Sequence, residues 1–260
     1  MTTSGFFTSL GSGFLNLLGG LGAGSLLFYR VMCLVTCRIR YRQLFDQMVY
    51  IGYNSLAITT ITAIFTGMVL AMQLSYQMKD FGAVMYVGGV VAVAMARELG
   101  PVLTAIVIAG RVGAAITAEI GTMKVTEQID ALETLATDPI EYLVAPRLQA
   151  AVLMFPLLTI LADFMGLLGG YLIGVLKLDL GHSIMVSNIT DLLTLGDIVS
   201  GLIKSVFFAL IIVIVACYKG FHTTSGAEGV GRATTETVVI SSIAILISDY
   251  FLTAIILMFL

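Results

Sequence analysis

Charge is what this sequence has least of. Asp, Glu, Lys and Arg make up 11% of its 260 residues, against 58% hydrophobic residues and a mean hydropathy of +1.03. A soluble domain carries about 25% charged residues. A water-facing surface cannot be covered with this stock, so the class is a polytopic membrane protein. The net charge is only −3, and no basic run exists that would follow a phosphate backbone, which argues against a nucleic-acid partner. Cysteine and histidine are equally sparse. Cys33, Cys37 and Cys217 are isolated thiols. Cys33 and Cys37 share a helical face, but without a His or a second Cys pair they read as small residues of embedded helices. His182 and His222 both fall in loops, and neither H-E-x-x-H nor G-x-S-x-G occurs, so a metal-dependent or hydrolytic enzyme is unsupported. The chain also lacks G-x-x-x-x-G-K-[ST] and therefore has no P-loop for ATP. Residues 1–29 contain no Lys or Arg, which removes the charged start of a signal peptide.

What is present is apolar and helical in period. Phe6, Leu10, Phe14, Leu17 and Leu21 form one stripe among Gly, Ser, Thr and Asn, a pattern suited to a helix lying in the membrane interface. With a basic connector it makes up residues 1–47. Five stretches in residues 48–260 are long enough to span: about 49–72, 81–118, 148–176, 198–218 and 238–260. The expected fold is all-α integral membrane, an N-terminal interfacial helix followed by five transmembrane helices.

Basic residues near the span ends give the orientation. One set of flanks holds Arg38, Arg40, Arg42, Lys124, Arg147, Lys219 and Arg232; the other holds only Lys79 and Lys177. The first set is expected in the cytoplasm with the N-terminus, and the C-terminus on the outer side of a cytoplasmic (inner) membrane. Gly166, Gly170 and Gly174 on the third span, and Ala105, Ala109, Gly113, Thr117 and Gly121 on the second, form small-residue ladders for close helix contact, within one subunit or between copies.

Ionisable groups inside spans are costly and mark a functional interior by default. Here they are Arg97, Glu98, Arg111, Asp163, Lys204 and Asp249. Arg97 and Glu98 are about 100° apart on a helix and cannot pair with each other, so each needs a partner elsewhere. Lys204 is the counter-ion expected for Glu98. Arg111 is expected to support the loop after its span, and Asp163 and Asp249 to serve as structural hydrogen-bonding groups.

One segment breaks the apolar pattern. "AEIGTMKVTEQIDALETLATDP" (118–139) carries Glu119, Glu127, Asp130, Glu133 and Asp138 against Lys124. Thr126 is the expected N-cap of a short helix whose apolar face is Ile129, Leu132, Leu135 and Ala136, with Asp138-Pro139 as its stop. Anionic lipid repels an acidic face, so this helix is better suited to docking a cytoplasmic protein than to lying on the inner leaflet.

"ARELGPVLTAIVIAGRVGAAITAEIGTMKVTEQIDALETLATDPIEYLVAPR" (96–147), with "LIKSVFFALIIVIVACYKGF" (202–221) and "GAEGVGRATTETVV" (226–239), closely resembles the MlaE (YrbE) permease family. The resemblance covers roughly residues 40–260. It implies the membrane subunit of an ABC-type lipid transporter, with phospholipid as the leading substrate class. The implied partners are a second copy of the chain, a separate cytoplasmic ATPase that holds ATP and Mg, an Mce-domain (MlaD-like) substrate-binding protein and membrane lipid. No cofactor is implied on the chain itself. By the resemblance, Glu119, Lys124, Glu127, Asp130, Glu133 and Asp138 belong to a coupling helix that enters the ATPase. Arg97, Glu98 and Lys204 surround a lipid cavity at a dimer interface, with Leu70 and Gln73 at its mouth. Two other classes remain, an ion-coupled secondary transporter, against which the lack of an internal repeat argues, and a membrane scaffold that recruits a partner.

Overall fold

The computed structural model describes residues 41–259, and every regular element among them is helical. The expected interfacial helix, the connector up to Arg40, and Cys33 and Cys37 lie outside the described residues. Five helical stretches are long and apolar enough to cross a membrane: Tyr41–Lys79, Val84–Val125, Ile140–Leu176, Leu195–Phe221 and Gly226–Met258. They match the five expected spans in number and order, and each runs beyond its apolar segment at one end at least.

The first stretch is two helices, α1 (Tyr41–Ile51) and α2 (Leu56–Lys79), separated by a 3₁₀ turn at Tyr53–Ser55. Arg111 holds this break from the second span, donating to Ser55 Oγ at 2.8 Å and to the Tyr50 carbonyl at 3.3 Å. Arg111 therefore braces the first span and not the loop after its own, contrary to the expectation from its position. A freed backbone carbonyl in hydrocarbon needs a donor, and the guanidinium is the nearest one. The second stretch comprises α3 (Val87–Ala94), α4 (Gly100–Ile108) and α5 (Ala114–Val125), joined by π turns at Met95–Leu99 and Ala109–Gly113. At 42 residues it would extend about 60 Å if straight, twice the hydrocarbon thickness.

The short α6 (Gln128–Thr134) leads through a π turn at Ile140–Val144 into α7 (Ala145–Leu176). The connection over 177–197, between the third and fourth expected spans, contains α8 (His182–Leu192). The fourth span, α9, is Leu195–Phe221, and the fifth, α10, is Gly226–Phe259. Residues 226–237 were expected in a loop, but they are the first three turns of α10. Their charges hid the helix from hydropathy, yet the same charges support it, Arg232 pairing with Glu236 one turn on at 2.9 Å and Lys219 reaching Glu236 at 2.6 Å.

Lipid offers no hydrophobic drive between helices, so the spans hold together by close backbone contact. A Cβ built on Gly67 of α2 would lie 1.9 Å from the Gly166 carbonyl oxygen of α7, and one on Gly169 would lie 2.2 Å from that of Ile64. Gly201 of α9 comes equally near the π turn after α3, 2.1 Å from the Ala96 carbonyl. The Gly166–Gly174 ladder thus meets α2, α3 and α8 of its own chain. The second ladder does likewise, Thr117 bonding the Ala216 carbonyl at 3.1 Å and Thr237 at 2.9 Å. On the outer faces Ile61, Phe65, Val69 and Tyr76 stand exposed along α2, the arrangement a hydrocarbon-facing helix requires.

Gly67→Ala should therefore lower thermal stability in detergent, by about 1–3 kcal/mol, through overpacking of the α2–α7 crossing. Gly110→Ala, where an added Cβ meets nothing within 4 Å, should be neutral or slightly stabilising in the same melt.

Candidate functional site

The site is organised around Pro101. Proline has no amide hydrogen, so the Arg97 carbonyl four residues earlier loses its helical donor. The π turn at Met95–Leu99 lies on this spot and carries both Arg97 and Glu98. Lys204 of α9 replaces the donor, its Nζ lying 3.2 Å from the Arg97 carbonyl oxygen. The same ammonium meets Glu98 Oε2 at 2.5 Å and the Thr253 hydroxyl at 2.7 Å. Asp249 Oδ1 stands 3.0 Å away as a charge contact without hydrogen-bond alignment. The Lys204 side chain has no exposed surface, whereas that of Glu98 keeps 36% of its own. Such a charge is tolerable in the spans only because oxygens surround it.

Arg97 faces another way. Its Nε lies 3.1 Å from Asp197 Oδ1, and a third of its side chain stays accessible. Asp197 is held by a capping box at the start of α9: its Oδ2 accepts from the Thr194 amide at 3.0 Å and hydroxyl at 2.8 Å, while its own amide donates to Thr194 Oγ1. Two cations therefore stand among three carboxylates. Leu70 and Gln73 line an apolar groove of about 370 Å³ with Phe65, Thr66, Val69 and Leu99. Leu99 belongs to the same π turn as Arg97 and Glu98. Lys204 thus meets Glu98 and the Arg97 backbone, the Arg97 side chain turns to Asp197, and Leu70 and Gln73 line a groove that shares Leu99 with the π turn.

The acidic segment forms a second site at the other end of the spans, with corrections to the expected helix. Thr126 is not its N-cap: the hydroxyl donates back to the Thr122 carbonyl at 2.8 Å, ending α5. The turn is made by Glu127 in the left-handed region, φ +60°, without a side-chain cap. Nor do Asp138 and Pro139 stop the helix. It ends at Thr134, where the Thr137 amide reaches the Leu132 carbonyl and the Ala136 amide that of Glu133, with Ala136 at φ +56°. This is a Schellman ending with alanine in the place usually held by glycine. Asp138 instead starts the next helix, its Oδ1 accepting from the Ile140 amide at 2.9 Å. Because the helix is short, its apolar face splits. Ile129 is buried and Leu132 half-buried against the bundle, while Leu135 is 75% exposed. Of the charged residues, Glu119 pairs with the buried Arg147 at 2.8 Å and Lys124 with Asp130 at 2.8 Å. Glu127, Asp130 and Glu133 are all exposed.

The sequence pattern that defines the permease family MlaE matches residues 44–255. The chain belongs to the MlaE permease family. It is 40% identical over 255 residues to the intermembrane phospholipid transport system permease protein MlaE of Haemophilus influenzae, covering 96% of this chain and 97% of that one. It is also 49% identical to a probable ABC transporter permease protein of Rickettsia typhi over 80% of each chain. A third relative, a probable ABC transporter permease protein of Synechocystis, is 48% identical over 83% of this chain and 82% of its own.

In this MlaE permease the ion cluster contains partners that the sequence reading did not assign. Asp197 carried a signal, the T-x-x-D spacing ahead of an apolar run, which marks a helix start but gives no hint of Arg97. Asp249 was visible as an embedded charge, and Thr253 lies one turn on along the same face. Only the packing of α10 against α4 and α9 shows that both belong to Lys204.

Lys204→Met should leave Glu98 and Asp249 facing each other without a cation and cost about 3–5 kcal/mol of stability. Adding Glu98→Gln and Asp249→Asn should restore much of the loss, read as recovery of the melting temperature in detergent.

Proposed function

We propose that this MlaE permease is the membrane subunit of an ABC-type phospholipid transporter in the inner membrane. The single observation that carries the reading is the apolar groove at Leu70 and Gln73, whose wall includes Leu99 of the same π turn that carries Arg97. Acyl chains need an apolar wall, and a phosphate headgroup needs a guanidinium at its edge. Asp197 engages Nε of Arg97, which leaves the two terminal nitrogens to a phosphate. Lys204 is fully buried and committed to its own oxygens, so its part is to hold Glu98 and the π turn in place. The Haemophilus relative's name, which specifies intermembrane phospholipid transport, supports the substrate class.

The 119–138 segment is the point of mechanical input. The residue-41 end of the first span, this segment and the 222–225 turn face the cytoplasm, and the C-terminus lies on the outer side. A separate ATPase carrying ATP and Mg grips the exposed Leu135 and the acidic residues Glu127, Asp130 and Glu133. Glu119 transmits the pull to α7 through Arg147, and Lys124 ties α6 to α5 through Asp130. Two copies of the chain enclose the lipid between their grooves, and an Mce-domain (MlaD-like) protein receives or delivers it on the outer side. ATP-driven movement of the two segments then shifts the population between open and compressed cavities.

Asp130→Lys combined with Glu133→Lys should abolish copurification of the ATPase. A stoichiometric ATPase retained by the double variant would refute the docking reading. Arg97→Ala should leave the complex assembled and lower the phospholipid recovered from it, measured by mass spectrometry of extracted lipid. Unchanged recovery would remove Arg97 from headgroup contact.

A further inference from the structure

Lys204 has more oxygens around it than hydrogens to give. An ammonium carries three donors and no acceptor. They go to Glu98 Oε2, the Thr253 hydroxyl and the Arg97 carbonyl, at 2.5, 2.7 and 3.2 Å. Asp249 Oδ1 lies 3.0 Å from the same nitrogen, buried, and receives none of them. Thr253 does not supply it either, because its hydroxyl donates to the Asp249 backbone carbonyl at 2.8 Å or to Glu98 Oε1 at 3.2 Å. Both oxygens of Glu98 thus have a donor within reach, and Asp249 Oδ1 has none.

Charge points the same way. Arg97 is matched by Asp197, which leaves one ammonium facing two carboxylates. With both ionised, the group at Lys204 carries a net charge of −1 inside the bundle. α10 packs against α9, α4, α5 and the π turn at Ala109–Gly113. Among the described residues of these elements no second cation pairs with Asp249. Arg111 is committed to Ser55 and the Tyr50 carbonyl. Lys124 and Lys219 pair with Asp130 and Glu236 at the other end of the spans, where Glu119 is held by Arg147.

A buried carboxylate oxygen without a donor, in a group of unbalanced charge, is costly in hydrocarbon. One proton removes both faults. It cancels the extra charge, and on Asp249 it becomes a donor to Glu98, which lies within hydrogen-bonding reach. Two carboxyl groups pressed onto one site hold a proton between them for this reason.

We propose that Glu98 and Asp249 share one proton beside Lys204, resident on Asp249 and hydrogen-bonded to the Glu98 carboxylate. The proton makes the junction of the second, fourth and fifth spans neutral, and it makes that junction sensitive to pH. Once it is lost, two carboxylates compete for one ammonium. The proposal is independent of the transport reading, because it rests only on the groups around Lys204.

The test is infrared spectroscopy of the purified full-length chain in detergent at pH 7, for the wild type, Asp249→Asn and Glu98→Gln. A protonated carboxyl and a carboxylate absorb in separate bands. Each variant should lack one protonated carboxyl per chain relative to the wild type. Asp249→Asn removes the acid itself, and in Glu98→Gln the remaining Asp249 becomes the single anion that Lys204 requires. Asp163, the other buried carboxyl of the spans, is common to all three chains and cancels in the difference. An unchanged band in Asp249→Asn overturns the proposal, and an unchanged band in Glu98→Gln overturns the sharing. Should either variant fail to fold, the pH dependence of unfolding decides in an Asp163→Asn background. There the unfolding constant should rise about tenfold from pH 7 to pH 8, above the ordinary range of histidine and below that of cysteine. Stability from a proton that the unfolded carboxylates have already released is present at low pH and lost as the pH rises. An unfolding constant that does not change across that interval overturns the proposal.

Discussion

An ammonium group with no exposed surface, in the middle of a bundle with little charge of its own, sets the terms for the rest of this fold. Lys204 cannot reach water, so its oxygens must come from the neighbouring spans: Glu98 and the Arg97 carbonyl from the second, Asp249 and Thr253 from the fifth. Removing any of the three helices would strand a charge in hydrocarbon, at a cost of several kcal/mol. The contact therefore fixes the relative height of the second, fourth and fifth spans. It also holds the π turn whose Leu99 lines the apolar groove.

That arrangement needs helices that approach more closely than ordinary side chains allow. Gly201 lets α9 pass 2.1 Å, measured from its would-be Cβ, from the Ala96 carbonyl, one turn before Lys204 must reach Arg97. Gly67 and Gly169 do the same between the first and third spans, which hold the groove wall at Leu70 and Gln73. Pro101 contributes by what it lacks, since the carbonyl it leaves without a helical donor becomes one of the four partners of Lys204. Glycine contacts, proline and π turn thus serve one end, which is to present oxygens to a cation.

Much of this was legible in the sequence where a single physical quantity decided the answer. Hydropathy fixed the class and the five spans, and the scarcity of charge made Glu98 and Lys204 stand out as a pair. Local chemistry was less reliable. Thr126 and Pro139 carry the usual helix signals, but Thr126 bonds backwards to α5 and Pro139 begins a helix instead of stopping one. Both signals mark a boundary without saying which helix it belongs to. Leu135 matched the apolar period of Ile129 and Leu132, yet the chain reverses at Ala136 before that face can close.

By itself, then, the sequence determined that the chain lives in a membrane, that it crosses five times, and that a polar acidic segment must face water. These follow from composition and periodicity, which are sums over residues near in the chain. Only the tertiary structure decided which embedded charges meet. Asp197 and Arg97 are 100 positions apart, and Glu98 and Asp249 lie further apart still. Helix register depends on where glycines allow backbones to touch, and spacing along one helix does not encode the face of another.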